Sequence, residues 1–580
     1  VLSLTRSLPL SLFLFLGACP EKTAVDTAET YSPDIFCPGD PSGNCDDIEG
    51  AQLQAGAASV SIIPECFESW TDTNEDGEYD DDEEFFLDCG CDRLCPEDEG
   101  YTKPDEGEGD EEFQAIWLAG FGSPRAASGV RDASLGMRGE NDGIWSKTLV
   151  LRQGESTIAL VSLDLIGWFF EDVQKIREMA VAEGLDVDHI LVHATHQHEG
   201  PDTMGIWGPS ITKSGYNEEY AEQVRQATVE SIRQALEVTE PVSMVSGTVD
   251  VSTFNEEKGV RNVIQDKRDP WVIDELLHAA QFIAEDGSTV GTLVNWGNHP
   301  EALAHKNLLI TSDYVHALRE TVESGSQWET AEGLAGVGGT CVFMNASVGG
   351  MMTPLGVEVT DPDGSTWSDA SFEKADAIGQ LVGEMALEAL NSGETVENPK
   401  LSFRAKIFHS PIENIALQAM WLVGTLDRGA YNYDTGEDLT DENVPEVRTE
   451  IDVIEVGPIQ MLTVPGELLP ELAIGGYDGS HINAPDAELF DPKGSNPPDI
   501  ANAPEGPYLK DRMTGESKWI IGLANDEIGY IIPEYNFKLH ETMPYLDEAD
   551  GDHYEETRSL GPNVATQLDQ EAEALLNWQP

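Results

Sequence analysis

The sequence predicts an α/β fold on a mixed sheet, interrupted by a small acidic, disulfide-rich insertion. Strand-length apolar runs alternate with helical periods from residue 113 onward. Six of the eight cysteines fall within the first hundred residues, after the signal-like stretch, beside a strongly acidic segment. Histidines and a glutamate follow directly where apolar strands stop, the usual place for a site in an α/β fold.

The elements follow in order. A short strand at 58–64 opens the folded part, and 147–152 and 157–163 read as neighbouring strands with Glu155 in the turn. Residues 170–183 carry helical spacing. The buried strand 189–194 leads straight into His193-Ala194-Thr195-His196-Gln197-His198. A long amphipathic helix covers 218–238. Strand 289–296 stops before His299, helix 313–324 follows, and strand 340–345 runs into Asn345-Ala346-Ser347-Val348-Gly349-Gly350. Helix 368–390 precedes strands 401–409, 451–456 and 459–464, the last ending just before Glu467. No repeat of solenoid length is visible.

The 580 residues are enough for a large core and several units. The division expected is a signal peptide at 1–18, a lipid anchor and flexible tether at 19–54 and a first strand at 55–64. An acidic Cys-rich insertion at 65–112 and the main domain at 113–580 complete it. Arg6, the apolar run to Leu16 and Leu16-Gly17-Ala18-Cys19 resemble a bacterial lipobox. Cys19 would then carry lipid, and an exported, membrane-anchored lipoprotein of the cell envelope is expected. A net charge of −76 excludes nucleic acid as a partner, because phosphate backbones are bound by Lys and Arg.

Cys37, Cys45, Cys66, Cys89, Cys91 and Cys95 are expected to form disulfides, with fifteen pairings open. Cys341 stands in an apolar strand and is expected to be buried and unbonded. In the insertion, acids outnumber bases by about ten to one. Asp72, Asn74, Asp76, Glu78 and Glu83 occupy positions 1, 3, 5, 7 and 12 of an EF-hand-type loop, with Gly77 at the sharp turn. The spacing predicts a structural calcium site.

His196, His198, His299 and Glu467 suit a zinc site if the fold brings them together, since zinc takes imidazole and carboxylate ligands and a catalytic site keeps one position open. In an extended strand His196 and His198 would face one side. His193 reads as a core residue. Asp164, at a strand end, is expected to orient a ligand histidine or to act as a local cap. Glu471, one turn beyond Glu467, is expected at the surface or just behind the ligands. Trp168, Phe169, Phe170 and Trp207 belong to the core or line an acyl-chain groove.

The motifs together resemble those of the neutral ceramidase family, zinc-dependent amidases that cleave the N-acyl bond of ceramide. They are Val161-Ser162-Leu163-Asp164, Ala194-Thr195-His196-Gln197-His198-Glu199-Gly200-Pro201, Asn295-Trp296-Gly297-Asn298-His299, Ser347-Val348-Gly349, Val464-Pro465-Gly466-Glu467, Tyr530 and Tyr554. The resemblance implies zinc ligands His196, His299, Glu467 and Tyr530, with His198 handling protons and Tyr554 at the scissile amide. It implies an exported hydrolase that uses zinc-activated water on an amide of a lipid-like or amphipathic substrate. The family's active-site serine falls on Ala346, and its substrate-contacting arginine has no local match, leaving Arg261 or Arg268 to fill that role. A second reading is a non-catalytic, calcium-binding acidic cell-surface lipoprotein that keeps the fold.

Overall fold

The computed structural model describes residues 35–39, 50–80, 85–122, 124–131, 142–210, 213–253, 262–426, 428–434, 436–440, 443–482 and 487–579. The signal segment, Cys19, Cys45, Glu83 and Arg261 lie outside the described residues.

Two sheets pack face to face. The larger contains β1 (Gln54–Ser61), β2 (Trp145–Gln153), β3 (Ser156–Leu163), β4 (His189–Ala194), β5 (Glu240–Asp250), β6 (Leu276–Ala284), β7 (Thr289–Trp296), β8 (Thr340–Asn345) and β9 (Glu394–Val396). Its order is β8-β7-β6-β5-β1-β2-β3-β4, with β9 on β5. The smaller runs β10 (Leu401–Pro411), β11 (Glu446–Val456), β12 (Ile459–Thr463), then, beyond the short β13 (Glu467–Leu468), β14 (Ser517–Ile521). β13 pairs instead with β15 (Tyr530–Ile531).

The sheets meet over one apolar layer in which Leu149, Leu160, Leu191 and Met344 of the larger face Phe403, Ile454 and Trp519 of the smaller. Helices α1 (Phe170–Ala182), α2 (Glu218–Glu237), α3 (Tyr314–Ser324) and α4 (Phe372–Asn391) close the outer side of the larger sheet. The helix Val564–Asn577 closes the smaller. A sheet buried on both faces explains why β3 and β4 read as unbroken apolar runs.

Polar side chains set the helix starts. Asn217 accepts from the Tyr220 amide and Ser371 from the Lys374 amide. Asp313, at φ 54°, accepts from the amides of Tyr314 and Leu303. The expected helices and most expected strands are present. β1, however, begins at Gln54 rather than at 58, with Leu53 fully buried beneath it. β5 and β6 were not legible as strands.

Cysteine chemistry follows expectation in the insertion: Cys66 is bonded to Cys91 and Cys89 to Cys95. Cys341 is a free, buried thiol. Trp70 and Tyr79 from the insertion pack into the main core beside Phe113. No helix among the described residues is long and apolar enough to cross a membrane.

Candidate functional site

Three parallel strand pairs deliver the site. β3–β4, β7–β8 and β12–β14 each run parallel, so their carboxyl ends emerge together. Asn345 ties them: its Nδ2 donates to the carbonyls of Thr195 and Asn298, and its Oδ1 accepts from the Asn298 amide. The Gly522 amide donates to the Asn345 carbonyl, joining the smaller sheet to the same corner.

His196 and His299 converge on Glu467. Nε2 of His299 lies 3.1 Å and Nε2 of His196 3.3 Å from the same oxygen, Glu467 Oε2. Each ring is oriented from behind, since Nδ1 of His196 donates to the Ile166 carbonyl at 2.6 Å and Nδ1 of His299 to the Met352 carbonyl at 2.7 Å. That leaves both Nε2 lone pairs directed at one point, as metal-ligating imidazoles require. Burial pushes the Glu467 carboxyl up, but His196 and His299 outweigh it and hold the group at about 2. A carboxylate oxygen approached by the Nε2 atoms of two imidazoles is a donor set that fits a zinc ion.

The side-by-side arrangement does not come from strand alternation. β4 stops at Ala194, and His196 sits at φ 65°, a left-handed conformation rare for a side-chain-bearing residue. This turn points His196 towards Glu467, whereas His198 takes a separate direction. The His198 ring stands 5.2 Å from that of His196 and 5.5 Å from that of His299. Its Nδ1 is 3.4 Å from Glu301 Oε2, but neither ring nitrogen makes a hydrogen bond. Burial, reinforced by His196 and His299, lowers its pKa and keeps it neutral. Nitrogens of His196, His198 and His299 all lie within 4.8 Å of one another.

Tyr530 is the β-pair partner of Glu467, and its hydroxyl is buried against Met351 Sδ at 3.7 Å. Burial, then the Glu467 charge, raises its pKa. Tyr554 is 38% exposed and stands 6.2 Å, ring to ring, from Tyr530. Both open on a cleft of about 770 Å³ that also exposes His196, His198 and Glu467. Phe169, Met204, Trp207 and Leu417 form its apolar wall, while Trp168 and Phe170 are core.

Four expectations require correction. Asp164 does not orient a ligand histidine: it is held by both Arg319 guanidinium nitrogens at 2.9 and 2.8 Å and by the Trp145 amide. Arg268 is enclosed by Glu555 and Glu556 rather than offered to a substrate. Glu471 is not at the surface; it is buried, and that burial pushes its carboxyl up to about 7. The strand alternation expected to turn His196 and His198 to one side does not apply, because β4 has already ended at Ala194; the Ser347 hydroxyl, beyond β8, is buried without a hydrogen-bond partner. His193 is a core residue, accepting from the Asn345 amide.

Sequence reasoning missed two cleft residues. Glu527 lines the cleft, with Oε1 accepting from the Gly529 amide and Oε2 unpartnered. Arg558 lines it beside Tyr554. The Asn525-Asp526-Glu527 run just before Tyr530 was the available signal for Glu527; Arg558 had none.

In the insertion, Asp72 accepts from the amides of Glu75 and Gly77, Asn74 from Asp76, and Asp76 from Glu78. Lys306, on the loop that follows His299, donates to the Glu75 carbonyl at 2.9 Å.

Comparison with known proteins bears on the family and the fold. Residues 130–379 match the family model described as neutral/alkaline non-lysosomal ceramidase, N-terminal. The fold is similar to that of the neutral ceramidase from Pseudomonas aeruginosa, with a TM-score of 0.55 and 13% identity over 92% of this chain and 76% of that one. A structure described as ceramidase complexed with C2 gives a TM-score of 0.53 and 13% identity over 90% of this chain and 75% of that one. No curated protein matches the sequence.

Proposed function

From a chain whose residues 130–379 match the neutral/alkaline non-lysosomal ceramidase family, we propose a zinc-dependent hydrolase that cleaves the N-acyl bond of an amphipathic amide. The family and fold point to a hydrolase; the metal and the bond cleaved are the proposal. The observation that carries it is the approach of two backbone-oriented imidazoles to one oxygen of Glu467.

His196, His299 and Glu467 would hold the ion, with Tyr530 beside them as the fourth ligand. A zinc ion in such a set supplies Lewis-acid polarisation and brings bound water towards a pKa of roughly 7. The chain's own residues do the rest. His198, neutral and without a hydrogen bond, is free to take a proton at a ring nitrogen and return it to the departing amine. The Tyr554 hydroxyl faces the cleft to orient the amide, and the wall of Phe169, Met204 and Trp207 receives the acyl chain and excludes water. With Ala346 at the position of the family serine, no serine nucleophile is assigned.

The insertion is proposed to bind a structural calcium through Asp72, Asn74, Asp76, Glu78 and Glu83; oxygen-rich spacing and the Gly77 turn support it. Its disulfides and the Cys19 motif support export as a lipid-anchored protein. Elemental analysis of the purified protein, paired with hydrolysis of a fluorogenic N-acyl amide with and without a zinc chelator, tests the reading. Stoichiometric zinc and chelator-sensitive turnover are expected. Absence of zinc would favour the non-catalytic calcium-binding lipoprotein.

A further inference from the structure

Arg558 is the unusual charge of the cleft. The chain carries 108 acidic and 32 basic side chains, so a carboxylate is easily supplied to any buried cation. Arg428, in the same cleft, has Asp526 at 2.9 Å and Glu171 at 3.6 Å. Arg125, Arg268 and Arg319 are likewise paired with acids. Arg558 Nε has no hydrogen-bond partner, and among the described residues no carboxylate is paired with it. Its neighbour is the Tyr554 hydroxyl.

The backbone that carries this guanidinium is closely held. A side chain at Gly529, the residue before Tyr530, would overlap the Arg558 carbonyl, so the two backbones are in close contact. Immediately after it, the Leu560 carbonyl accepts from the amides of Glu413 and Asn414, and the Ser559 carbonyl from Asn414 Nδ2. A guanidinium carried on a held backbone beside a phenol, in a cleft that also has an apolar wall, is a donor set matched to a planar carboxylate.

Resting on the hydrolase reading above, we infer that the substrate is a carboxylate-bearing N-acyl amide, of the N-acyl amino acid class, whose carboxylate is received by Arg558 and Tyr554. Arg558 is thus the specificity-determining residue of the cleft.

The test compares N-lauroylglycine, N-lauroylethanolamine and O-phospho-N-lauroylethanolamine, at equal chain length, on the zinc-loaded full chain. Binding is read by displacement of a fluorescent fatty amide, and turnover by amine release. The glycine conjugate is expected to bind about tenfold or more tighter than the neutral amide, the size of one charge-assisted contact. Arg558→Gln should remove that ratio in the displacement assay and as a rise in KM for the glycine conjugate, and Arg558→Lys should restore part of it. Salt should weaken the glycine conjugate selectively in the unmutated protein, which keeps the inference testable if a variant does not fold. Equal binding of acidic and neutral amides overturns the inference whether or not either is cleaved. A preference for the phosphate arm alone overturns the carboxylate assignment. Selective binding of the glycine conjugate without turnover of any amide upholds the inference and overturns the hydrolase reading.

Discussion

Glu467 and Tyr530 are direct partners in the short parallel pair β13–β15, so carboxylate and phenol hang from adjacent backbones on one side of the cleft. His196 and His299 approach from the opposite side, on loops of the larger sheet. The proposed metal would therefore join loops of the larger sheet to the β13–β15 pair, and ligand removal should be graded. Glu467→Ala is expected to abolish zinc retention, because it deletes the only carboxylate close to both Nε2 atoms among the described residues. Tyr530→Phe should keep the fold and weaken zinc by at least the roughly 10–100-fold that losing even a group behind the ligands costs. Competition with a zinc-chelating dye measures both; unchanged zinc affinity in Glu467→Ala would falsify the site.

Beneath the histidine turn, Arg319 grips Asp164 with both nitrogens in a fully enclosed pair. Arg319→Met leaves a buried carboxylate with only the Trp145 amide and the Thr195 hydroxyl to answer it. Breaking one side of a buried pair costs roughly 3–5 kcal/mol. The denaturation midpoint should drop accordingly, and adding Asp164→Asn should recover much of the loss. A single variant as stable as the parent would show the pair to be dispensable.

The site was legible wherever it depended on local pattern. Apolar runs ending at Ala194, Trp296 and Thr463 gave the strand ends, and family-like motifs gave His196, His299 and Glu467. What required three dimensions was not. Asp164 and Arg319 stand 155 residues apart, so their pairing depends on how α3 packs against β8. The left-handed turn at His196 replaced strand alternation, because no side-chain pattern announces a positive φ at a non-glycine residue. β5 was hidden because its residues are half-buried, giving neither an apolar run nor a clean alternation. Arg558 emerged only because a glycine more than two dozen residues earlier admits its backbone.

Glu471 provides a pH prediction with a definite sign. Burial raises its carboxyl from 4.5 to about 7, and its Oε1 has no hydrogen-bond partner. The folded protein therefore holds a proton that the unfolded chain releases between these values. The stabilisation is complete below about 4.5 and is lost as pH rises through about 7. A shift of this size amounts to at most about 3 kcal/mol. Glu471→Gln should flatten the fall in melting temperature between pH 5 and pH 8 and raise stability at the alkaline end. An unaltered slope in the variant would mean that Glu471 is ionised in the fold.

Gly120 offers a way to disturb His198 without changing it. The glycine lies at φ 97°, and a Cβ there would overlap the imidazole ring. Gly120→Ala therefore combines backbone strain of order 1–2 kcal/mol with a displaced His198. His196, His299 and Glu467 are held by contacts that do not involve Gly120, so zinc content should be preserved. If His198 carries the proton, a displacement of about 1 Å should lower kcat by on the order of 10²-fold. Steady-state kinetics on the N-acyl amide, beside zinc content and melting temperature for the same preparation, separates this from unfolding. Full kcat with zinc retained would remove His198 from the proton path and assign that task to another cleft residue, Glu527 offering its unpartnered Oε2.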